Sequence, residues 1–142
     1  MTRPAVELLA IDHVQLAMPP DGEAAARRFY GDVLGLREVP KPAALAGRGG
    51  CWFAGPAGLA VHLGVDDPFT PAAKAHPCFV VADLASAREH LAAAGVAFEP
   101  DDSGLSVARA YVRDPFDNRI ELVDAAGAGF SEAPSACEAP SG

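Results

Sequence analysis

The sequence predicts an α+β fold: paired βαβββ modules that curl into a cup-shaped mixed sheet with the helices outside. Short segments of alternating apolar and polar residues recur along the chain, as in half-buried strands. One helical segment follows the first strand of each half. Both halves repeat this order of elements, which indicates two copies of one supersecondary unit. The modules are predicted at about 9–65 and 74–124, in a single domain of 1–124.

The first half is expected to open with a strand over 11–18, which Pro19 and Pro20 end. Asp21 is the expected N-cap of a helix, and Gly35 suits the position after its C-terminus. Short strands are predicted to follow, separated by a loop rich in Pro, Ala and Gly and by a Gly-Pro-Ala-Gly turn, at 36–39, 51–53 and 59–65.

The second half follows a linker over 66–73 and repeats the first. Its opening strand is expected at about 76–81, and Asp83 is the expected cap of a helix that Gly95 ends. Three further strands are predicted, with a polar loop over 100–106 and an Asp-Pro-Phe-Asp-Asn turn between them, near 96–98, 108–112 and 118–123. The remaining residues, 125–142, are small and rich in Pro and Gly, and are predicted to form a flexible tail.

Composition excludes several classes of function. The net charge of −8 and the absence of a basic cluster beyond Arg27 and Arg28 argue against a nucleic-acid partner. An apolar run of the roughly 18 residues that span a bilayer is lacking, so a membrane partner is not expected. Three cysteines are too few for a disulfide framework and indicate a reducing compartment, so the protein is predicted to be cytoplasmic.

Four side chains that bind metals occupy equivalent strand positions in the two halves. His62 follows His13 by 49 residues (62 − 13), and Glu121 follows His76 by 45 (121 − 76). Each half therefore carries one such residue on its first strand and one on its last. Imidazole and carboxylate ligands suit Zn, Fe, Ni, Mn or Co, so a divalent metal ion on the floor of the cup is predicted. His90, in the second helix, is interpreted as a surface residue.

Each signal also has a simpler interpretation. A single histidine on a strand is more often a hydrogen-bonded, partly buried side chain than a ligand, and alternation around Glu121 also fits a solvated sheet face. Three of the four histidines at repeat-equivalent positions, with a carboxylate at the fourth, are harder to explain in this way. The metal site is therefore the preferred interpretation.

Several motifs resemble one known superfamily. They are Asp12-His13-Val14, Phe29-Tyr-Gly-Asp-Val-Leu-Gly-Leu36, Ala75-His76 and Asp114-Pro-Phe-Asp-Asn-Arg-Ile-Glu-Leu122. Together they resemble the vicinal oxygen chelate superfamily, which includes glyoxalase I, extradiol dioxygenases, fosfomycin-resistance transferases, methylmalonyl-CoA epimerase and bleomycin-binding proteins. The resemblance covers about 9–124 and implies paired βαβββ modules. It also implies a homodimer, with each cup built either within one chain or from modules of two chains.

The resemblance also assigns ligands. It places the metal ligands of the family at His13, His76 and Glu121. Glyoxalase I has a glutamate on the fourth strand, where this sequence has His62, and that glutamate also serves as the base. The change makes the glyoxalase reaction itself doubtful, and leaves His62 as either a fourth ligand or a general base. The family glycine in the turn is replaced by Asp117, which also accepts turn conformations.

Residues two positions apart on a strand share one face of the sheet, and this strand parity adds further candidates on the cup face. Tyr111 falls where fosfomycin transferase-like members place a substrate-binding tyrosine, so Glu121, His62 and Tyr111 are the candidate catalytic residues. Cys78 shares the face of His76 and is interpreted as packing. The candidate substrate-binding residues, which share the cup face or its rim, are Gln15, Trp52, Arg109, Arg113 and Arg119.

The sequence thus favours a divalent-metal-dependent enzyme acting on a small oxygen-chelating substrate, by isomerisation, lysis, group transfer or oxygenation. The alternative is a metal-free protein of the bleomycin-resistance type that sequesters a ligand in an acidic cup. Retention of all four polar strand positions argues for the enzyme.

Overall fold

The computed structural model describes residues 2–104 and 108–130. The strands are β1 (Val14–Met18), β2 (Arg37–Val39), β3 (Cys51–Ala54), β4 (Ala60–Val65), β5 (Cys78–Val81), β6 (Glu99–Pro100), β7 (Arg109–Arg113) and β8 (Arg119–Asp124). The α-helices are α1 (Glu23–Ala26), α2 (Leu84–Ala93) and α3 (Ala125–Ala128). A π-helical segment, Arg27–Val33, continues α1, and short 3₁₀ helices occupy Ala43–Arg48 and Pro56–Gly58.

The strands form two four-stranded mixed sheets of identical topology. Their orders are β1-β4-β3-β2 and β5-β8-β7-β6. In each sheet the first strand of the half pairs in parallel with the last, and the remaining pairs are antiparallel. The two sheets with their helices confirm the predicted α+β fold of two βαβββ modules.

The first helix begins differently from the prediction. Asp21 has a positive φ of 65° and does not cap the helix; the N-cap is Gly22, which has no capping side chain. Glu23 instead accepts a hydrogen bond from the backbone N–H of Gly50, at 3.0 Å from its Oε1. The carboxylate therefore ties the start of the helix to the loop before β3. Gly35, at a φ of 74°, follows the end of the helical segment as predicted.

The second helix follows the prediction closely. Asp83 is its N-cap, and its carboxylate accepts a hydrogen bond of 3.1 Å from the backbone N–H of Ser86. Gly95 has a φ of 76°, the left-handed conformation that commonly ends a helix. The local sequence was therefore sufficient to predict where this helix begins and ends.

The helices pack on one face of each sheet and leave the other face to polar residues. In the first half, Phe29 and Tyr30 are buried together with Val61 and Leu63, which alternate with His62 along β4. In the second half, buried residues of β8 alternate with Glu121 in the same way. One hydrophobic cluster joins both halves, and its second-half members are Leu91, Val112, Ile120 and Leu122.

The turn between β7 and β8 links the two halves. Asp114 is 5% exposed, and its carboxylate accepts hydrogen bonds from the Tyr30 hydroxyl at 2.7 Å and from the amide N–H of Asn118 at 2.8 Å. The Asn118 side chain donates to the carbonyl of Ala17 at 2.7 Å. Asp117 adopts a left-handed φ of 72°, as expected for an Asx residue in this turn. The predicted turn is present, and it also docks the second half onto the first.

Several boundaries differ from the prediction. The strand expected from residue 11 begins at Val14, and the strand expected at 96–98 is the two-residue β6. The start of the predicted tail forms α3, while 131–142 and residues 105–107 of the predicted loop lie outside the described residues. The tail therefore remains a prediction.

The segment before β1 exposes its large apolar side chains. Val6, Leu8, Leu9 and Ile11 are 82–87% exposed. Burying such side chains contributes roughly 1.5–3 kcal/mol each, so the segment is suited to covering by another surface. Within the described part of the chain, no helix is both long and apolar enough to cross a membrane.

Candidate functional site

The register of the strands places the candidate residues at equivalent positions in the two sheets. In the first sheet, His62 lies opposite Gln15 of β1 and Trp52 of β3. In the second sheet, Glu121 lies opposite residues of β5 and β7 in the same way, and these partners are Cys78 and Tyr111. The repeat inferred from spacing is therefore present in the pairing of the strands for His62 and Glu121. His13 and His76 were predicted on the first strand of each half, but they precede β1 and β5 instead.

The candidate residues of the first sheet form a stack of three rings. The ring centroid of Trp52 lies 3.8 Å from that of His62, and the two rings are within 3° of parallel. The ring of His13 stacks on His62 at 4.1 Å with an angle of 18°. We call these three residues the aromatic stack. Trp52 thus lies on the candidate face, while its neighbour Phe53 fills the core.

The position of His62 within the aromatic stack favours a neutral ring. His62 is only 8% exposed. Burial lowers the pKa of His62, and the nearby charge of His13 lowers it further. A neutral imidazole keeps a nitrogen lone pair, which either a metal ligand or a general base requires.

His13 and His76 are both held by hydrogen bonds through the same ring nitrogen. Nδ1 of His13 lies 2.7 Å from Oδ2 of Asp12. Nδ1 of His76 lies 2.6 Å from the carbonyl oxygen of Lys74, which only accepts hydrogen bonds. In a neutral ring the lone pair is then on Nε2. Metal-bound histidines are commonly oriented by such a bond from the other ring nitrogen.

Glu121 is the centre of the second half of the site. Its Oε1 accepts hydrogen bonds from Nη1 of Arg109 at 3.1 Å and from the Tyr111 hydroxyl at 3.3 Å. Its Oε2 lies 3.5 Å from Nε2 of His76. One carboxylate oxygen is therefore held by two donors, and the other is directed toward a histidine nitrogen. We call Glu121, His76, Arg109 and Tyr111 the charged cluster.

The charged cluster keeps Glu121 ionised at neutral pH. Burial raises the pKa of Glu121, but hydrogen bonds from Cys78 and Arg109, together with the Arg109 charge, outweigh burial and lower it. Partial desolvation of the thiol raises the pKa of Cys78 to about 11, and the charge of Glu121 raises it as well. Cys78 is exposed on β5, where it lies opposite Glu121, so its predicted role in packing is wrong.

The remaining predicted residues surround these groups. The guanidinium of Arg119 lies over the ring of Tyr111, with Cζ 4.1 Å from the centroid. Arg113 donates from Nη1 to the backbone carbonyl of Asp117 at 3.2 Å. Gln15 lies over Gly64, where a Cβ would be only 2.5 Å from its amide nitrogen, and both line an open cavity of about 410 Å³.

Among residues 2–104 and 108–130, no three His, Cys, Asp or Glu side chains lie close enough to hold one metal ion. The four predicted ligands instead form two pairs, His13 with His62 and His76 with Glu121. Their chemistry fits a divalent cation. The lone pair expected on Nε2 of His76 faces an ionised carboxylate, an arrangement that a proton or a metal ion between the two would stabilise.

His90 differs from the other three histidines. It is exposed on α2, and its Nε2 lies 2.9 Å from the carbonyl oxygen of Val33. It is a surface residue, as predicted, but it also connects α2 to the end of the first helical segment.

Two mixed sheets of one topology, each with polar residues on the face that the helices leave free, define the class of paired βαβββ proteins. A family model described as the Glyoxalase/Bleomycin resistance protein/Dioxygenase superfamily matches residues 10–122. The chain belongs to this superfamily, as its motifs indicated.

Solved structures agree with this assignment. A glyoxalase family protein from Bacillus anthracis is 41% identical, with a TM-score of 0.80, over 85% of this chain and 98% of that one. A glyoxalase/dioxygenase from Nostoc punctiforme is 23% identical, with a TM-score of 0.65, over 85% and 98%. The fosfomycin resistance protein FosX from Listeria monocytogenes is 16% identical, with a TM-score of 0.67, over 83% and 94%. The latter two show the fold alone. No curated protein matches this chain by sequence.

Sequence reasoning missed two contributors to the site. Asp12 was noted only as part of a motif, yet it holds the ring of His13. Cys78 lies opposite Glu121 on the adjacent strand. Strand parity already placed Cys78 beside the candidate ligands and was the available signal. For Asp12, its position next to a candidate ligand was the only signal.

Proposed function

We propose that this protein is a divalent-metal-dependent enzyme of the superfamily that acts on a small oxygen-chelating substrate. The observation that carries the proposal is the orientation of His13 and His76. Each ring has Nδ1 occupied by a local oxygen acceptor, and in His76 the free Nε2 is directed toward Glu121. Such rings are already oriented as ligands, whereas His90 has its Nε2 engaged by a backbone carbonyl.

The chain's own residues suit this role. His13, His76 and Glu121 would hold the metal, which, when bound, supplies Lewis-acid stabilisation of negative charge on substrate oxygens. Arg109 and Tyr111 hold one oxygen of Glu121 and leave the other free for the ion. His62, neutral and stacked, is a candidate base, and Trp52 provides a flat apolar wall beside it.

We propose further that a homodimer completes the site, with the aromatic stack of one copy facing the charged cluster of the other. Three observations support this arrangement. Each half of the site offers only a pair of the predicted ligands. β1 and β5, the strands next to His13 and His76, are both edge strands. The segment before β1 exposes four large apolar side chains.

The metal proposal is tested by purifying the protein without chelators and measuring its metal content. We expect about one divalent ion per chain, lost in Glu121→Gln and retained in His90→Ala. Anaerobic purification followed by oxygen-consumption measurements on catechols then separates oxygenation from the other reaction types. If no metal copurifies and none of Zn, Fe, Ni, Mn or Co binds on addition, the enzyme proposal fails.

Mixing two inactive variants tests the two-copy site. His13→Ala damages the first half of the site and Glu121→Gln the second. If two copies build each site, heterodimers of the variants contain one intact site, so an equal mixture should recover about a quarter of the wild-type metal sites. Each variant alone is the control. Sites built within one chain would give no recovery.

The alternative function is metal-free binding of a ligand, and the aromatic stack is the observation that favours it. His62 is covered on both faces by Trp52 and His13, and the outer faces of those two rings are flat surfaces of the kind on which a planar ligand stacks. The three arginines on the second sheet oppose a cationic ligand in particular. Retained ligand binding after complete metal removal would support this alternative.

A further inference from the structure

We propose that Arg119 is the docking point for an oxyanion of the substrate, so that the substrate is a small anion with a carboxylate, phosphonate or phosphate group. This inference rests on the proposed function for the presence of a substrate at this face. It adds the chemical class of that substrate and the side chain that recognises it.

Three arginines lie on one face of the second sheet, but two of them already have partners. Arg109 donates to Glu121 at 3.1 Å. Arg113 donates to the carbonyl of Asp117, and its Nε lies 4.0 Å from the carboxylate of the same residue. Among the described residues, Arg119 has no ion pair with a carboxylate. Arg119 therefore keeps its hydrogen-bonding edges for another acceptor.

Tyr111 fixes the guanidinium of Arg119 in place. The phenol is itself held, because its hydroxyl donates to Glu121 and its ring meets the ring of His76 edge to face at 5.7 Å and 83°. Arg119 lies over that ring at 4.1 Å. A guanidinium supported by an aromatic ring retains the N–H fork that matches the two oxygens of a carboxylate or phosphonate.

The location suits a group that anchors substrate beside the reacting atoms. Arg119 is two residues from Glu121 on β8 and on the same face, and it lies opposite Arg113 in the register. The chain as a whole carries a net charge of −8, so it does not attract anions at long range. Recognition of an anion must come from this local arrangement.

The test measures binding of methylphosphonate and propionate to the full-length protein as purified, by calorimetry and by NMR of the arginine Nε–H signals. These two anions distinguish the phosphonate and carboxylate classes, and tetramethylammonium is the cationic control. We expect at least one anion to bind with millimolar affinity, shifting the Arg119 signal, and tetramethylammonium to bind at least about tenfold more weakly.

Three variants decide the assignment. Arg119→Gln is expected to weaken anion binding by about tenfold or more, and Arg119→Lys, which keeps the charge without the fork, by a smaller but measurable factor. Arg37→Gln removes one positive charge from an exposed position on β2, outside the candidate site, and is the matched control, with an expected change below about threefold. The melting temperature of each variant establishes that it is folded.

Equal losses in Arg119→Gln and Arg37→Gln would show diffuse surface charge and overturn the inference, as would an absence of anion binding. Metal content measured in the same samples separates this inference from the proposed function. Anion binding that depends on Arg119 in a protein that neither copurifies with a metal nor binds one on addition would refute the metalloenzyme and leave the oxyanion site standing. A full complement of metal with anion binding unaffected by Arg119→Gln would refute the oxyanion site and leave the metalloenzyme standing.

Discussion

The two sheets share one topology and one register, yet their candidate faces differ in chemistry. Where the first sheet has Trp52 opposite His62, the second has Tyr111 opposite Glu121. The first face is an aromatic stack held by ring contacts, and the second is a charged cluster held by hydrogen bonds. The same frame thus supplies aromatic rings on one side and charge with defined orientation on the other. Side-chain identity at equivalent positions, not backbone architecture, produces the difference.

The largest expected effect concerns the contact that holds the two halves together. Asp114→Ala removes the buried acceptor of Tyr30 and of the turn, and leaves their donors without a partner. We expect a loss of roughly 3–5 kcal/mol in the free energy of unfolding, measured by urea denaturation. Asp101→Ala, which removes an acceptor from the exposed Ser103 turn, is the control and should cost less than about 1 kcal/mol. A similar loss in both variants would contradict a special role for Asp114.

The next effect distinguishes the charged cluster from the aromatic stack. Glu121→Gln keeps the shape of the side chain but removes the carboxylate charge, so we expect metal affinity to fall by on the order of 100-fold. Competition with a chromogenic chelator measures the affinity. His62→Gln should reduce it by less, because the proposed two-histidine, one-carboxylate set does not include His62. A greater loss in His62→Gln would place the ion at the aromatic stack instead.

The two halves should also respond to pH in different ranges. The pKa of His62 is lowered from 6.5 in the folded chain, so the unfolded chain takes up this proton first as the pH falls. The free energy of unfolding of the metal-free protein should therefore decrease as the pH drops from about 7 to about 5. The pKa of Glu121 is lowered from 4.5, so its contribution is present above that pH and is lost only as the pH falls below it.

Melting temperatures measured across this range in the presence of a chelator test the prediction. His62→Phe, which keeps a ring in the stack, should flatten the slope between about pH 7 and pH 5, and His90→Ala should retain it. An unchanged slope in His62→Phe would show that another group accounts for the pH dependence.

The smallest expected effect concerns the tyrosine of the charged cluster. Tyr111→Phe removes a hydrogen bond of 3.3 Å to Glu121 but leaves the ring under Arg119 and the bond from Arg109. Metal affinity should fall by less than about tenfold. This is at the lower end of the losses of metal affinity that follow removal of a group that orients a metal ligand. Titration with the native metal measures the change. A loss as large as that in Glu121→Gln would indicate a direct role for the hydroxyl.

Local sequence patterns were sufficient to predict most of the fold. Alternation placed His62 and Glu121 on the faces opposite the core, and Asx chemistry predicted both the Asp83 cap and the turn at Asp117. Prediction failed where a distant contact decides the local structure. Asp21 was expected to cap α1, but the chain turns there through a positive φ, and Glu23 instead reaches Gly50.

The candidate site was predictable in its parts but not in its assembly. Strand parity and the repeat identified the paired positions, such as His76 with Glu121. Neither could show that Tyr30 and Asp114, 84 residues apart, fix the second half against the first. The ring stack of Trp52 on His62 also depends on side-chain rotamers, which strand periodicity does not determine.

The stack has an optical consequence. Trp52 is the single tryptophan in the sequence, and its indole lies flat against His62 at 3.8 Å. Protonation of that imidazole places a positive charge directly on the indole π face. A stacked imidazolium quenches indole fluorescence, so the emission of the unmodified protein reports the charge state of His62. The protein therefore contains its own fluorophore for following events at this ring, without any added label.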